Sequence, residues 1–206
     1  MTNAVFLNND RKMPLLGLGV YKATGENEAE NAIIHAVQCG YRMIDTASAY
    51  KNEENVGRGI AKCGVPRKDL FITTKIWNNA QRLGDVEGAF QRSLDRLGLD
   101  YIDLYLIHWP VPGCYLSTWK ELEKILSSGR ALSIGVSNFE IHHLEELRKI
   151  SGIIPAVNQI ECHPLCYPKE LIEYCQDSGI QVQAYAPLAR GAYLDHDVLC
   201  VLGTKY

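Results

Sequence analysis

Four side chains capable of proton transfer lie close to the ends of predicted strands. Asp45 and Tyr50 follow one apolar segment, while Lys75 and His108 end the next two. A carboxylate, a phenol, an ammonium and an imidazole gathered at one place can pass a proton to or from a reacting oxygen. Each of the four alone also has an ordinary structural interpretation, as a loop cap, a packed ring, a solvated cation or a core imidazole.

The segment DLYLIHWP at 103–110 indicates how such a residue is positioned. Leu104 to Ile107 is an apolar run typical of a core strand, and Pro110 prevents its continuation in the middle of a sheet. His108 is therefore predicted at the carboxyl end of a strand. Parallel α/β folds carry their chemistry at that end of the sheet.

Short apolar segments with β character recur along the chain at intervals of about 27 residues. They are LLGLGV, RMIDTA, LFITTKI, YIDLYLIHW, ALSIGVSN, PAVNQIE and QVQAYAPL. Helix-like stretches lie between them, and Gly40, Gly64, Gly98 and Gly129 follow these stretches, where C-terminal caps belong. Repeated βα units of one pitch predict a parallel sheet covered by helices.

A parallel sheet can be open or closed into a barrel. An open dinucleotide-binding sheet should carry G-x-G-x-x-G after its first strand, whereas this chain has only GLG at 17–19, followed by VYK. Units of one pitch with polar residues at consecutive strand ends favour an α/β fold of the (β/α)8 TIM-barrel type. Ahead of it, VFLNNDRKMPLL predicts a β-hairpin that turns at NND. We expect a single barrel domain over residues 1–206.

Composition and charge argue against several classes of function. The 206 residues are 47% hydrophobic with a formal net charge of −3, and they contain no dense Lys/Arg tract that would indicate a nucleic-acid partner. No apolar run reaches the roughly 18 residues of a membrane span, and the N-terminus lacks the apolar core of a signal peptide. The seven cysteines are scattered and odd in number, which is typical of free thiols in a reducing cytoplasm.

The segment ECHPLC raises the alternative of a metal site. Cys162, His163 and Cys166 are close enough in sequence to suggest ligands. No second ligand pair follows at the spacing of a zinc site, so we expect no metal.

Five motifs together resemble those of one enzyme family. MIDTASAYKNEENVG, TTKIWN, DLYLIHWP, IGVSNF and VNQIECHP are similar, in the same order, to motifs of the aldo-keto reductases, and the resemblance covers nearly all of the chain. Within that family the chain resembles the trypanosomatid-type prostaglandin F synthases and related small reductases. The resemblance implies that a small-molecule carbonyl substrate, an aldehyde or ketone, is reduced to an alcohol with NADPH. It also makes prostaglandin reduction a candidate activity.

The resemblance implies a role for each of the four proton-transfer residues. Tyr50 would be the general acid, Lys75 would lower the pKa of its phenol, and Asp45 would hold the lysine. His108 would orient the carbonyl oxygen beside Tyr50. These roles suit the reaction, because a proton must be delivered as negative charge builds on the oxygen.

Matching positions also imply a cofactor site and a substrate pocket. The implied cofactor contacts are Gly19, Val20, Tyr21, Asp45, Ser137, Asn138, Gln159, Tyr185, Ala186 and Leu188. The implied substrate contacts are Tyr21, Trp77, His108 and Trp109. Ser137, Asn138 and Gln159 would hold the nicotinamide carboxamide, and Tyr185 would stack on the ring. Structural alternatives stay open, because SNFE at 137–140 is also a capping box before an apolar helix and the aromatic residues could belong to the core.

The family barrel has eight strands, whereas this sequence ends within the expected seventh helix. We therefore expect the eighth βα unit to be missing, together with the basic loop that grips the adenosine 2′-phosphate. A closed barrel would be a monomer, while an open one would expose strand edges. Two alternatives to an active reductase remain: a catalytically inactive truncated barrel, and a barrel that binds NADPH without turnover.

Overall fold

The computed structural model describes residues 4–193 and 195–205. Its main sheet has seven strands, which neighbour one another in the order of the sequence, and every neighbouring pair is parallel. A two-stranded antiparallel hairpin precedes this sheet. The predicted α/β architecture of repeated βα units after an N-terminal hairpin is confirmed.

Strands and helices alternate along the chain. The hairpin consists of β1 (Ala4–Phe6) and β2 (Lys12–Pro14). The barrel strands are β3 (Gly17–Gly19), β4 (Met43–Asp45), β5 (Phe71–Ile76), β6 (Leu104–Ile107), β7 (Ile134–Ser137), β8 (Val157–Glu161) and β9 (Gln181–Tyr185). The α-helices are α1 (Glu28–Gln38), α2 (Glu53–Lys62), α3 (Asn78–Leu83), α4 (Val86–Leu97), α5 (Tyr115–Ser127), α6 (Ile141–Ile150), α7 (Lys169–Asp177) and α8 (Asp197–Lys205).

Alternation along the strands divides the buried side chains into two layers. The outward layer packs against the helices and includes Ile44, Ile72, Tyr105 and Val136. The inward layer fills the lower part of the barrel and includes Met43, Phe71, Leu104 and Leu106. The hairpin residues Leu7 and Met13 belong to this inward cluster. Polar residues that continue the inward layer along the strands therefore reach the opposite end of the barrel.

The hairpin forms the floor of the barrel at the amino-terminal ends of the strands. Asn8 Nδ2 contacts three carbonyl oxygens in the loops that enter β8 and β9, at 3.1 to 3.4 Å. Asn9 Nδ2 contacts the Leu132 carbonyl ahead of β7 at 3.0 Å. Asp10 completes the predicted turn with a left-handed φ of 62°.

Two strands begin later than the sequence predicts. The segments YIDLYLIHW and ALSIGVSN predict strand starts at 101 and 131. The strands β6 and β7 begin three residues later, after an isolated bridge between Ile102 and Ala131. Asp103 interrupts the ladder, because its carboxylate accepts the hydrogen bond from the Ile72 N–H at 2.9 Å. Helix α3 is a further addition to the predicted elements.

The first and last strands of the sheet order are β3 and β9. Within the described ranges each of them pairs with a single neighbouring strand. The four glycines predicted after helices all have positive φ, between 63° and 95°, as C-terminal caps require. In the part of the chain that the structure describes, no helix is long and apolar enough to cross a membrane.

Candidate active site

The polar end of the barrel interior gathers the four predicted proton-transfer residues. Asp45 is the last residue of β4, Lys75 lies in β5 and His108 directly follows β6. Each stands two residues beyond an inward-facing position of its strand, so alternation turns all three into the barrel. Tyr50 ends the 3-10 turn Ser48–Tyr50 that follows β4.

Lys75 is buried and paired with Asp45. Its Nζ donates to Asp45 Oδ1 at 2.5 Å and to the Thr46 carbonyl at 2.8 Å. The lysine side chain is 1% exposed and that of Asp45 13% exposed. Burial lowers the pKa of Lys75, because it penalises the ammonium, and the Asp45 carboxylate opposes that effect.

The Tyr50 ring lies against this pair. Its centre is 5.3 Å from Lys75 Nζ, 5.7 Å from the His108 ring centre and 5.0 Å from that of Tyr21. Burial raises the pKa of Tyr50 above its ordinary value, and the Asp45 carboxylate raises it further. The net shift is therefore opposite to the lowering expected from Lys75, because burial and Asp45 dominate it. Tyr50 is a protonated phenol at neutral pH.

Side-chain hydrogen bonds fix the turn that carries Tyr50. Ser48 Oγ donates to the Lys75 carbonyl at 2.9 Å, which ties the turn to β5. Asn52 accepts from Thr46 Oγ1 at 3.0 Å and donates to the Val20 carbonyl at 2.9 Å. These supporting residues were not predicted, although their clustering within eight positions of Asp45 was a signal in the sequence.

His108 is almost fully buried and uncharged. It is 9% exposed, and within the described residues its Nδ1 has no hydrogen-bond partner. Burial and, after it, the Lys75 charge lower the pKa of His108 to about 3. The Trp77 ring packs edge-on against the imidazole at 5.1 Å between ring centres. The imidazole is therefore neutral at physiological pH.

Asn138 connects three elements behind His108. Its Nδ2 donates to the His108 carbonyl and to Ser137 Oγ, both at 3.0 Å. Its Oδ1 accepts from the Tyr185 hydroxyl at 2.9 Å. The main chain of Asn138 adopts a left-handed φ of 61°, which asparagine tolerates better than most residues. Both side-chain N–H groups of Asn138 are thus used inside the protein.

The capping box predicted at 137–140 is wrong in its register. Ser137 ends β7 and is 1% exposed. The N-cap of α6 is Glu140, whose side chain accepts from the main chain of His143, while the His143 side chain accepts from the Glu140 N–H. Ser137 is therefore a strand-end residue that faces the barrel.

Gln159 joins the far side of the barrel to Asp45. Its Nε2 donates to Asp45 Oδ2 at 2.8 Å and to Gln183 Oε1 at 3.0 Å. Gln183 was not among the predicted site residues. The alternation QVQ at 181–183 was a signal for it, because it places a second amide on the face of β9 that neighbours Gln159.

The other predicted cofactor residues differ in how far they are exposed. Val20 is 2% exposed and packs in the outer core, and its main-chain N–H and carbonyl both bond within the protein, so the structure does not bring its polar atoms to the site. At Gly19, by contrast, an added Cβ would meet no atom within 4 Å. Ala186 has a left-handed φ of 48°, and Leu188, in the same loop after β9, is 63% exposed.

Aromatic residues lie beside Tyr50 and His108, where Tyr21 packs on Tyr50 and Trp77 on His108. Tyr21 is 58% exposed, Trp109 is 43% exposed and Trp77 is half-buried. Gln81 in α3 donates to the Trp109 carbonyl at 3.0 Å and so ties this loop to the helix. Exposed aromatic surface beside Tyr50 and His108 suits a small, partly apolar molecule whose polar group points at these two residues.

No group of three or more potential metal-ligating side chains occurs among the described residues, those of the ECHPLC segment included. The cysteines of the described ranges are free thiols.

Comparison with known proteins identifies the family of the chain. A family model described as the aldo/keto reductase family matches residues 15–198. Glyoxal reductase of Bacillus subtilis is 50% identical over 206 residues, which is all of this chain and 75% of that protein. The 9,11-endoperoxide prostaglandin H2 reductase of Trypanosoma cruzi is 49% identical over 189 residues, or 92% of this chain and 67% of that protein.

A solved structure shows the same fold. The aldo-keto reductase of Bombyx mori in complex with NADP has a TM-score of 0.92 and 39% identity, and the match covers 100% of this chain and 76% of that one. The sequence motifs, the seven-stranded parallel barrel sheet and these similarities lead to one conclusion. The chain belongs to the aldo/keto reductase family of oxidoreductases.

Proposed function

We propose that this protein reduces aldehydes and ketones to alcohols with NADPH, and that Tyr50 delivers the proton. The observation that carries the proposal is the buried pair of Lys75 and Asp45, at 2.5 Å, directly against the Tyr50 ring. A buried ion pair at the mouth of a barrel has little structural benefit, because desolvation offsets most of its attraction. Such a pair is expected where it perturbs a reacting group.

The proton moves from the Tyr50 hydroxyl to the carbonyl oxygen as the hydride reaches the carbonyl carbon. The raised pKa of Tyr50 keeps the phenol protonated, and therefore loaded, at neutral pH. Its phenolate product would lie beside the Lys75 ammonium, whose charge stabilises it before solvent returns the proton. Stabilisation of the phenolate by Lys75 is equivalent to a lowering of the Tyr50 pKa, and in the protein alone burial and Asp45 outweigh it.

His108 orients the substrate as a neutral hydrogen-bond donor. A neutral imidazole has one N–H, which can hold the carbonyl oxygen next to the Tyr50 hydroxyl. The low pKa of His108, about 3, means that it does not compete with Tyr50 as a proton source near neutral pH. The hydrogen bond from Asn138 to the main-chain carbonyl of His108 holds the main chain that carries the ring.

The ends of β7, β8 and β9 fit the nicotinamide half of NADPH, which supplies the hydride when bound. Ser137, Gln159 and Tyr185 offer a hydroxyl, an amide and a phenol ring, and these neutral groups suit an uncharged carboxamide on a flat ring. Within the described residues, Gln159 Oε1 accepts no hydrogen bond and is available to a carboxamide N–H. The NADP complex of the Bombyx mori relative supports this cofactor.

Gly19, Tyr21, Asp45, Ala186 and Leu188 complete the proposed cofactor contacts. Asn138 would act behind them, since both of its N–H groups are already bonded inside the protein. Val20 would contribute packing only.

The substrate is an aldehyde or ketone that fits between Tyr21, Trp77 and Trp109. The glyoxal reductase relative and a methylglyoxal reductase of Salmonella typhimurium, 46% identical, support a small dicarbonyl substrate such as methylglyoxal. The Trypanosoma cruzi relative supports the second candidate, a prostaglandin F synthase-like activity, in which the group reduced is the 9,11-endoperoxide of prostaglandin H2 instead of a carbonyl. Turnover of methylglyoxal and of prostaglandin H2 by one preparation would rank the two.

The test measures NADPH consumption by the purified chain with methylglyoxal, beside the Tyr50→Phe variant. Loss of the phenol hydroxyl should lower turnover by about 100- to 10,000-fold, since that is the usual contribution of a general acid, and leave NADPH binding intact. Tyr101→Phe is the matched control, because Tyr101 precedes β6 at the other end of the barrel and stacks under Arg67.

Unchanged turnover in Tyr50→Phe would contradict the assigned role. Binding of NADPH by the wild-type chain without any turnover would favour the binding-only alternative. A folded chain that neither binds NADPH nor turns over would favour the inactive barrel.

A further inference from the structure

We propose that Gln183 is a positioning residue that fixes the side-chain amide of Gln159 for NADPH binding. The proposal rests on the proposed function, since it concerns the same cofactor site. It assigns a role to a residue of β9 that lies one layer below the expected contact surface. Gln183 acts through Gln159 and does not itself touch the cofactor.

Gln183 reaches Gln159 across neighbouring strands. The two residues are direct partners in the register of β8 and β9, so their side chains leave the sheet on the same face. That face is the barrel interior, because Gln183 Nε2 also lies 3.7 Å from the sulfur of Met43, an inward-facing residue of β4. The side chain therefore crosses the interior from the last strand of the sheet order toward β4.

These contacts determine which way each amide points. The Met43 thioether is a weak acceptor, so it faces the Gln183 nitrogen and leaves Gln183 Oε1 toward Gln159. Gln159 Nε2 then has two acceptors, Asp45 Oδ2 at 2.8 Å and Gln183 Oε1 at 3.0 Å. A primary amide has two N–H groups, and both are used.

The Gln159 amide is therefore held at two points instead of one. A single hydrogen bond to Asp45 would leave the amide free to turn about that bond, whereas the second bond to Gln183 fixes its plane. The oxygen that remains, Gln159 Oε1, is then presented in one direction to a ligand. Ordering a group before binding removes part of the entropy cost of binding.

Asp45 is the point where this amide chain meets the proton-transfer group. One carboxylate oxygen accepts from Lys75 and the other accepts from Gln159. The chain Gln183, Gln159, Asp45, Lys75 thus connects β9, β8, β4 and β5 by hydrogen bonds.

A double-mutant cycle on NADPH binding tests the proposal. The dissociation constant is measured by fluorescence titration of the protein without substrate, for wild type, Gln183→Leu, Gln159→Leu and the double variant. Gln183→Leu should weaken binding about three- to ten-fold, the usual contribution of one hydrogen bond. In the Gln159→Leu background the same substitution should have almost no further effect, because Gln183 acts only through Gln159.

Two additional variants keep the result interpretable. Gln181→Leu removes an amide from the same face of β9, two residues away, whose Nε2 bonds only to the Val182 carbonyl among the described residues, and it should bind NADPH as wild type does. Gln183→Met preserves chain length and replaces Gln183→Leu if the latter fails to fold, which thermal unfolding without cofactor reports.

The outcomes separate the two proposals. If wild type binds NADPH but Gln183→Leu loses no affinity, the role of Gln183 is overturned and the reductase function stands. The same holds if Gln183→Leu lowers NADPH affinity equally in the wild-type and Gln159→Leu backgrounds. A non-additive cycle without turnover by wild type supports Gln183 and overturns the function. Absence of NADPH binding by folded wild type overturns both.

Discussion

The ammonium of Lys75 meets the carboxylate of Asp45 at 2.5 Å inside the mouth of the barrel, where the lysine side chain is only 1% exposed. A buried ion pair gains little net stability when both charges are present, but removal of one partner leaves the other uncompensated. Both charges also act on Tyr50. Asp45 raises the pKa of the phenol, and Lys75 Nζ lies 5.3 Å from the centre of its ring.

Replacement of Lys75 by methionine should destabilise the fold. The variant leaves Asp45 with Gln159 as its remaining side-chain partner and removes the donor to the Thr46 carbonyl. We expect the free energy of unfolding to fall by about 3 kcal/mol, the lower end for a broken buried pair, because Asp45 keeps some exposure. Urea denaturation measures the change. Exposed Lys68→Met is the control, and a loss no greater than that of the control would contradict the expectation.

His108 should make the stability of the protein depend on pH in the acid range. Its pKa is about 3 in the folded protein, against an ordinary value of 6.5. Between these pH values the unfolded chain therefore binds a proton at His108 and the folded chain does not. The contribution of the neutral imidazole to the free energy of unfolding is therefore complete above pH 6.5 and is lost as the pH falls toward 3. Between these two pH values the free energy of unfolding should fall by up to about 1.4 kcal/mol for each pH unit.

The variant His108→Asn isolates this effect. The difference between wild type and variant in the free energy of unfolding should change with pH below 6.5 and be constant above it. A difference that is flat across the whole range would show that His108 titrates normally. The same low pKa predicts that wild-type kcat/KM has no inflection near 6.5 from this residue.

The variant Tyr185→Phe should affect catalysis more than cofactor binding. It preserves the ring that would stack on nicotinamide but removes the hydroxyl that donates to Asn138 Oδ1 at 2.9 Å. Asn138 then holds the His108 carbonyl less rigidly, and we expect kcat/KM for the carbonyl substrate to fall about three- to ten-fold, as one lost hydrogen bond permits. NADPH affinity should change less than two-fold, roughly, because stacking is retained. An affinity loss larger than the catalytic loss would reverse this assignment.

Gly135→Ala should destabilise the barrel between β7 and β8. A Cβ at this position would lie 2.6 Å from the Val157 carbonyl oxygen and 2.9 Å from Leu106 Cδ2. The main chain of β8 cannot move aside without loss of its ladder, so we expect a cost of about 1 to 3 kcal/mol. Gly152→Ala is the control, because its added Cβ meets no atom within 4 Å. Thermal unfolding measures the loss of stability in both variants. Equal melting temperatures would contradict the predicted clash of the Gly135→Ala Cβ with the Val157 carbonyl oxygen.

Most of the fold could be predicted from the chain itself. The regular recurrence of apolar segments and glycine caps predicted the seven parallel strands in order, and the motif order predicted the family correctly. The late starts of β6 and β7 could not be predicted, because they depend on the carboxylate of Asp103 taking a main-chain hydrogen bond on the neighbouring strand.

The site was predictable where it depends on strand alternation and unpredictable where it depends on partners distant in sequence. Asp45, Lys75 and His108 follow from the inward face of consecutive strands. The raised pKa of Tyr50 does not, because it needs the degree of burial and the position of Asp45. Strand alternation places Gln183 inward, but its role was missed because its partner Gln159 lies 24 positions away.

The floor of the barrel has a consequence for the order of folding. The side chain of Asn8 bonds to carbonyls that are 146, 147 and 171 positions later in the chain. Synthesis must therefore proceed beyond Gly179 before the turn of the N-terminal hairpin can find all of its partners. Such long sequence separations predict slow folding, and an interval after synthesis in which the inward apolar layer is open to chaperones.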